Sequence, residues 1–181
     1  MKQILLCWVV LGCRAWAQDA AWDDSPHAAE LAAHAARLKP VLEELNPQAW
    51  IAQGAPETYR TQLEGIRLEL ERLSVSARAL DSQPQKLTAA LDTYFRLQSL
   101  EWRIESLVEA VRKYQSPALG DLLLSVLRSN SGNRDGLREY ILDLAQRKEQ
   151  EFSVAYAEAQ RCQTERVQMP TAAPRRAPAK P

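Results

Sequence analysis

The chain has 181 residues, the size of one domain or one domain with tails, and its 23 Lys+Arg balance 23 Asp+Glu to a net charge of zero. That balance argues against nucleic acid as a partner, because counterion release requires a strongly basic face. With 46% hydrophobic and 25% charged residues the chain is neither wholly disordered nor a multispan membrane protein, and 27 Ala and 25 Leu against 9 Val and 5 Ile favour helix over sheet.

Residues 1–17 read as an export signal. Lys2 supplies a positive start, Ile4 to Leu11 a short apolar core, and Ala15-Trp16-Ala17 a small-x-small cleavage site. Eight apolar residues fall well short of the roughly 20 that span a bilayer as a helix. Cleavage between Ala17 and Gln18 is expected, giving a periplasmic or extracellular protein. The alternative is Val10-Leu11-Gly12-Cys13, which resembles a lipoprotein box and would anchor the chain through an acylated Cys13. Removing Lys2 and Arg14 with the leader leaves 21 bases against 23 acids, a net charge of −2.

Residues 18–25 form a loose lead-in, and a helical bundle domain is expected over 26–167. Ser25-Pro26 is a helix start signal. Ala28, Leu31, Ala35, Leu38, Leu42 and Leu45 then recur at spacings of 3 and 4, in a helix expected to bend near Pro40. Asn46-Pro47 opens a short turn holding Trp50, expected to plug the space between helix ends, and Gly54 stops it. After Pro56, Tyr59, Leu63, Ile66, Leu70, Leu73, Ala77 and Leu80 form an uninterrupted 3-4 seam of coiled-coil type. Asp81 to Pro84 breaks it, and the next helix runs to about Gln115. Its stripe begins Leu87, Leu91, Tyr94 and resumes after a one-residue slip as Leu97, Leu100, Ile104, Leu107, Val111 and Tyr114. The tight connection predicts an antiparallel hairpin with arms of roughly 40 and 48 Å. Ser116-Pro117 caps a fourth helix whose Leu122-Leu123-Leu124 run predicts heavy burial. Asn130 to Asn133 reads as a turn. A fifth helix is expected from about Arg134 to Arg166, with Leu137, Ile141 and Leu144 on its early stripe and Phe152, Ala155, Ala159 and Cys162 on its later one. The expected fold is all-α: an elongated antiparallel bundle of about five helices with coiled-coil-like packing.

Residues 168–181 read as a disordered tail rich in Pro and Ala. Arg175, Arg176 and Lys180 make it basic, and without them residues 18–167 carry 18 bases against 23 acids, a net charge of −5. Such a strand is expected to make at most a weak contact with an anionic membrane or wall polymer.

Chemistry-bearing patterns are sparse. His27 and His34 stand seven residues apart, about 10.5 Å along a helix and too far to share one metal ion. No Glu-x-x-His, Cys-x-x-Cys-His, Gly-x-Ser-x-Gly or His-Glu-x-x-His occurs, so neither a metal, a cofactor nor a catalytic residue is expected, and the chain reads as non-catalytic. Glu101, Glu105 and Glu109 make a carboxylate row that suits a solvated face or a stripe meeting Arg or Lys on a neighbouring helix better than acid–base work. Cleavage at Gln18 leaves Cys162 as the lone thiol; its stripe position predicts a small buried hydrophobe, and the alternative is an intermolecular thiol.

The phrases AWIAQGAPETY, LDTYFRLQSLEWRIESL, SPALGDLLLSVL and REYILDLAQRKEQEF resemble a set of exported, all-helical bacterial proteins to which no activity is assigned, across most of the mature chain. The resemblance carries over no site. The Leu-Thr-x-x-Gln pattern of small helical periplasmic chaperones is absent, since Leu87-Thr88 is followed by Ala89, Ala90 and Leu91. The functional expectation is an exported interaction or scaffold protein of the cell envelope, acting through its long hairpin and joining an envelope protein or itself through helix faces. The alternative is a periplasmic holdase or ligand-binding bundle with an apolar groove.

Overall fold

The structure, a computed structural model, describes residues 25–168, with side chains described from 29 to 167. Among them the chain forms six α-helices and no strand: α1 (Ser25–Glu43), α2 (Pro47–Ala52), α3 (Thr58–Ser82), α4 (Leu87–Tyr114), α5 (Pro117–Arg128) and α6 (Ser131–Gln168). Four are long, at 19, 25, 28 and 38 residues, and α2 and α5 are short, at 6 and 12. The extra helix lies where a turn was expected. Pro47 at its first position and the Asn46 side chain, accepting from the Ala49 amide at 3.1 Å, start α2. Gly54, at φ 93°, turns the chain out of it at low steric cost.

The helices start and stop largely where local chemistry directs. Ser116 accepts from the Leu119 amide at the head of α5, with Pro117 next in line. α1 continues through Pro40 to Glu43. α6 begins at Ser131, three residues before its expected start. The Asn130 carbonyl accepts from the Arg134 amide at 3.1 Å, and Asn130 Oδ1 accepts from the Asn133 side chain at 3.0 Å. Gly132 and Asn133 thus occupy a first turn, where backbone amides need no intrahelical partner and turn-forming residues cost little.

α3 and α4 run antiparallel, as Glu69 meeting Arg96 and Gly65 approaching Arg103 require. α1 packs on α3 and α5, and α5 and α6 pack on α4. The core takes Leu31, Ala35, Leu38, Leu42 and Leu45 from the first stripe and Leu63, Ile66, Leu70, Leu73, Ala77 and Leu80 from α3. On α4 there is no phase slip. Ala90, Thr93, Leu97, Leu100, Ile104, Leu107 and Val111 are all buried at an unbroken 3-4 spacing, while Leu87, Leu91 and Tyr94 are half-buried beside them. The small residues hold the core register, and the larger ones cover its margin. In α5 only Leu123 of the leucine triplet is buried, with Gly120 and Leu127; Leu122 is exposed, because consecutive residues on a helix point about 100° apart.

α6 runs back along α4. Arg134 pairs with Glu101, and two turns later the Tyr140 hydroxyl donates to the Pro84 carbonyl in the α3–α4 connection. Leu137, Tyr140 and Leu144 are its buried residues. Past that end of the bundle, every residue from 148 to 167 is exposed. The later stripe of Phe152, Ala155, Ala159 and Cys162 therefore lies outside the core, and Cys162 is an exposed free thiol rather than a buried hydrophobe. Its 3-4 spacing defines a face that could be covered, but the Pro84 connection marks where the covering helices turn back.

Candidate functional site

The junction of α1, α2 and α4 is the most elaborated polar site. Trp50, fully buried, plugs the helix ends and meets the Tyr59 ring edge-on at 6.1 Å. Gln115, just past α4, accepts from Trp50 Nε1 at 3.0 Å and from the Asn46 amide at 3.1 Å through the same oxygen. Its amide nitrogen donates to the Glu44 carbonyl at 2.8 Å. With both ends of the amide engaged, the arrangement is a latch between segments and offers little to a ligand. Sequence patterning could not single out Gln115, because its partners lie 65 to 71 residues away.

The Glu101, Glu105 and Glu109 row divides by environment. Glu101 is buried and bonded to Arg134 of α6 at 3.0 Å; burial pushes its carboxyl above the usual range, while Arg134 opposes that shift. Glu105 is exposed, and Glu109 meets Arg112 at 2.6 Å while the same guanidinium reaches Asp121 of α5 at 2.8 Å. Glu69 and Asp92 similarly flank Arg96, at 3.3 and 2.9 Å. These pairs tie α4 to α6, α5 and α3, and do not converge on a shared cleft.

His34 is fully buried on α1 with neither ring nitrogen hydrogen-bonded. Burial, reinforced by the Arg37 charge one turn on, lowers its pKa from 6.5 to about 4. It is a neutral core residue at ordinary pH. The side chain of His27 lies outside the described residues, and among those described no group of three or more His, Cys, Asp or Glu is arranged to hold a metal ion. A pocket of about 260 Å³ opens between α1 and α3, lined by Lys39, Leu42, Glu43, Arg67, Leu70 and Glu71. That is below the roughly 300 Å³ at which ligand pockets begin, and four of its six lining residues are charged.

Exposed large apolar residues occur on α3 (Leu68, Val75), α5 (Leu122) and the packed part of α6 (Leu142), and aromatic pairs are exposed on α4 and on the free part of α6. Phe95 and Trp102, 59% and 66% exposed, lie seven residues apart on the outer side of α4. On α6, Phe152 at 72% and Tyr156 at 59% stack with ring centroids 6.2 Å apart, and Val154 is exposed on the opposite side of the helix. The seven-residue spacing of Phe95 and Trp102 was visible in the sequence, but the core claimed more strongly patterned stripes first.

Ala17, Gln18, Cys13, Arg175, Arg176 and Lys180 lie outside the described residues. Of the singled-out thiols and bases, only Cys162 is placed: on the free part of α6, about five turns beyond Leu144. Among the described residues no helix is long and apolar enough to cross a membrane. No protein-family model, no curated protein and no solved structure matches the chain.

Proposed function

We propose that the chain is an exported, non-catalytic interaction module of the cell envelope, whose working surface is the free half of α6 rather than the α3–α4 hairpin. The observation that carries this reading is the run 148–167, twenty helical residues without one buried side chain. At 1.5 Å per residue it projects about 30 Å. Helix stability in proteins comes mostly from packing an amphipathic face, so a rod with Phe152, Ala155, Tyr156 and Ala159 on adjoining turns is suited to a partner. Coiled-coil-like packing is the mode that its 3-4 spacing supports, as it does for the long seams of α3 and α4. The hairpin itself is engaged by α1, α5 and α6. The basic tail that follows α6 adds weak, salt-sensitive attraction to anionic lipid headgroups or wall polymers.

The outward Phe95 and Trp102 support a second reading, in which the outer face of α4 holds an apolar segment of another protein as a holdase does. Photoreactive residues at Tyr156 and, separately, at Trp102 in the native host distinguish the two. Crosslinked peptides from position 156 are expected. Crosslinks from position 102 alone transfer the function to α4, and their absence at both positions removes the interaction reading.

A further inference from the structure

We propose that residues 19–24, which precede α1, lie along the flank of α6 that carries Arg147 and Val154, with an Asp23 or Asp24 carboxylate on the Arg147 guanidinium. The inference goes beyond the partner proposed above, which takes the Phe152 and Tyr156 face on the other side of the helix. Leu137, Tyr140 and Leu144 are the buried line of α6, and the same 3-4 spacing runs on through Arg147, Glu151 and Val154. Topology decides which chain can enter the space beside that line. Arg67 of α3 donates to the Leu42 carbonyl of α1 at 3.0 Å, and Lys39 lines a pocket with Glu71, so α1 and α3 run antiparallel. Fourteen residues lead back from Lys39 to Ser25, and fourteen lead on from Glu71 to residue 85, in the α3–α4 connection. Ser25 therefore falls level with Pro84, where Tyr140 bonds and from which α6 projects. At this end α3 and α4 are joined to each other through residues 83–86, and α1 packs on α6. Of the helices meeting there, α1 is the one whose preceding chain continues outward beside α6.

Reach and chemistry agree. From Tyr140 to Val154 the helix rises about 21 Å, and the six residues 19–24 span about 20 Å when extended. Asp23 and Asp24 then stand just before the level of Arg147, toward which its side chain leans, because helical side chains tilt to the N-terminus. Arg147 is half-buried, its Nε is shielded from solvent without a hydrogen-bond partner, and it makes no ion pair among the described residues. A carboxylate satisfies a guanidinium in that position with charge-assisted hydrogen bonds. Residues 19–24 hold three acids, Asp19, Asp23 and Asp24, and no base. Glu151, on the same flank, is already neutralised by Lys148 at 2.9 Å. Val154, 59% exposed, gives the flank an apolar residue. Trp22 supplies apolar area opposite it, and Ala20 and Ala21 let the chain lie close. The contact fixes the direction in which α6 leaves the bundle and keeps Phe152 and Tyr156 clear.

Pairwise disulfide formation tests this. In the full chain with Cys7, Cys13 and Cys162 changed to Ser, Ala20→Cys is combined either with Val154→Cys or with Phe152→Cys, which stands at nearly the same height on the opposite side of α6. Mild oxidation is expected to close the 20–154 pair about tenfold faster than the 20–152 pair, because a disulfide needs Cβ atoms within roughly 4.5 Å. Adding Arg147→Glu is expected to bring the 20–154 rate down to that of the 20–152 pair. Adding D23R and D24R to R147E is expected to restore it, because the opposed charges are exchanged. Where Arg147→Glu lowers the helical circular-dichroism signal, Arg147→Gln replaces it with the same expectation. Equal rates for the two pairs, or a 20–154 rate indifferent to the loss of the Arg147 charge, overturns the proposal. Crosslinking from position 156 to another protein decides the reading of the aromatic face separately, whichever way these rates fall.

Discussion

Replacing His34 by Leu is expected to flatten the acid limb of the stability profile and to leave neutral stability equal or improved. In the folded chain His34 is wholly buried with both ring nitrogens unpartnered, and its pKa falls from 6.5 to about 4. A histidine with a depressed folded pKa binds its proton more readily in the unfolded chain. Its share of stability is therefore complete above pH 6.5 and is lost as pH falls from 6.5 toward 4. Integrating the linkage with these two values gives a loss of about 2.5 kcal/mol at pH 4.5 and almost none at pH 7.5. Leu has similar bulk, no proton to gain and no polar atom to strand in the core. Glu101 acts in the opposite sense: burial raises its carboxyl, so acidification toward its unfolded value relieves a cost of the folded state. For that reason the measurement is a difference, urea midpoints of parent and His34→Leu taken side by side between pH 7.5 and 4.5. Parallel profiles across that window would show that His34 is solvated or hydrogen-bonded, and the argument from its burial would fail.

Leu70→Ala, in the middle of the α3 seam and 5% exposed, is expected to cost about 2–5 kcal/mol in denaturant unfolding; coincident midpoints refute the core register. Gln115→Ala removes the shared acceptor of Trp50 and Asn46 and is expected to cost about 1–3 kcal/mol, with a Trp emission change reporting the opened junction. A chain ending at Val167 is expected to unfold at the parent's midpoint and to bind anionic vesicles less at low salt; equal binding removes Arg175, Arg176 and Lys180 from the account. Mass spectrometry of the protein from its native host is expected to find Gln18 at the N-terminus, and a lipid-modified Cys13 refutes cleavage after Ala17.

Much of the packing was legible because helices repeat. The α3 seam from Leu63 to Leu80 and the α1 stripe from Leu31 to Leu42 needed only the 3-4 spacing to place them in the core. Ala90 and Thr93 were missed because apolar strength was weighed above register, although stepping back from Leu97 by 4 and 3 lands on both. Trp50 was legible as a plug, but its latch to Gln115 was not. Neither His34 nor the choice of Glu101 alone from its row for burial carried a local signal, since Arg134 and the core around His34 arrive from distant segments.

The amino-acid order by itself determined the all-helical class, the principal breaks at Asn46-Pro47, Asp81 to Pro84 and Ser116-Pro117, and which side of most helices is apolar. Those properties follow from local backbone preferences and from a period shorter than four residues. Tertiary structure decided which apolar faces are covered. Leu137 and Leu144 lie inside because α1 and α4 run beside them, whereas Phe152, Ala155, Ala159 and Cys162 lie outside because the chain has already turned at Pro84. Burial is a property of two elements meeting in space, and a helical period records only one of them.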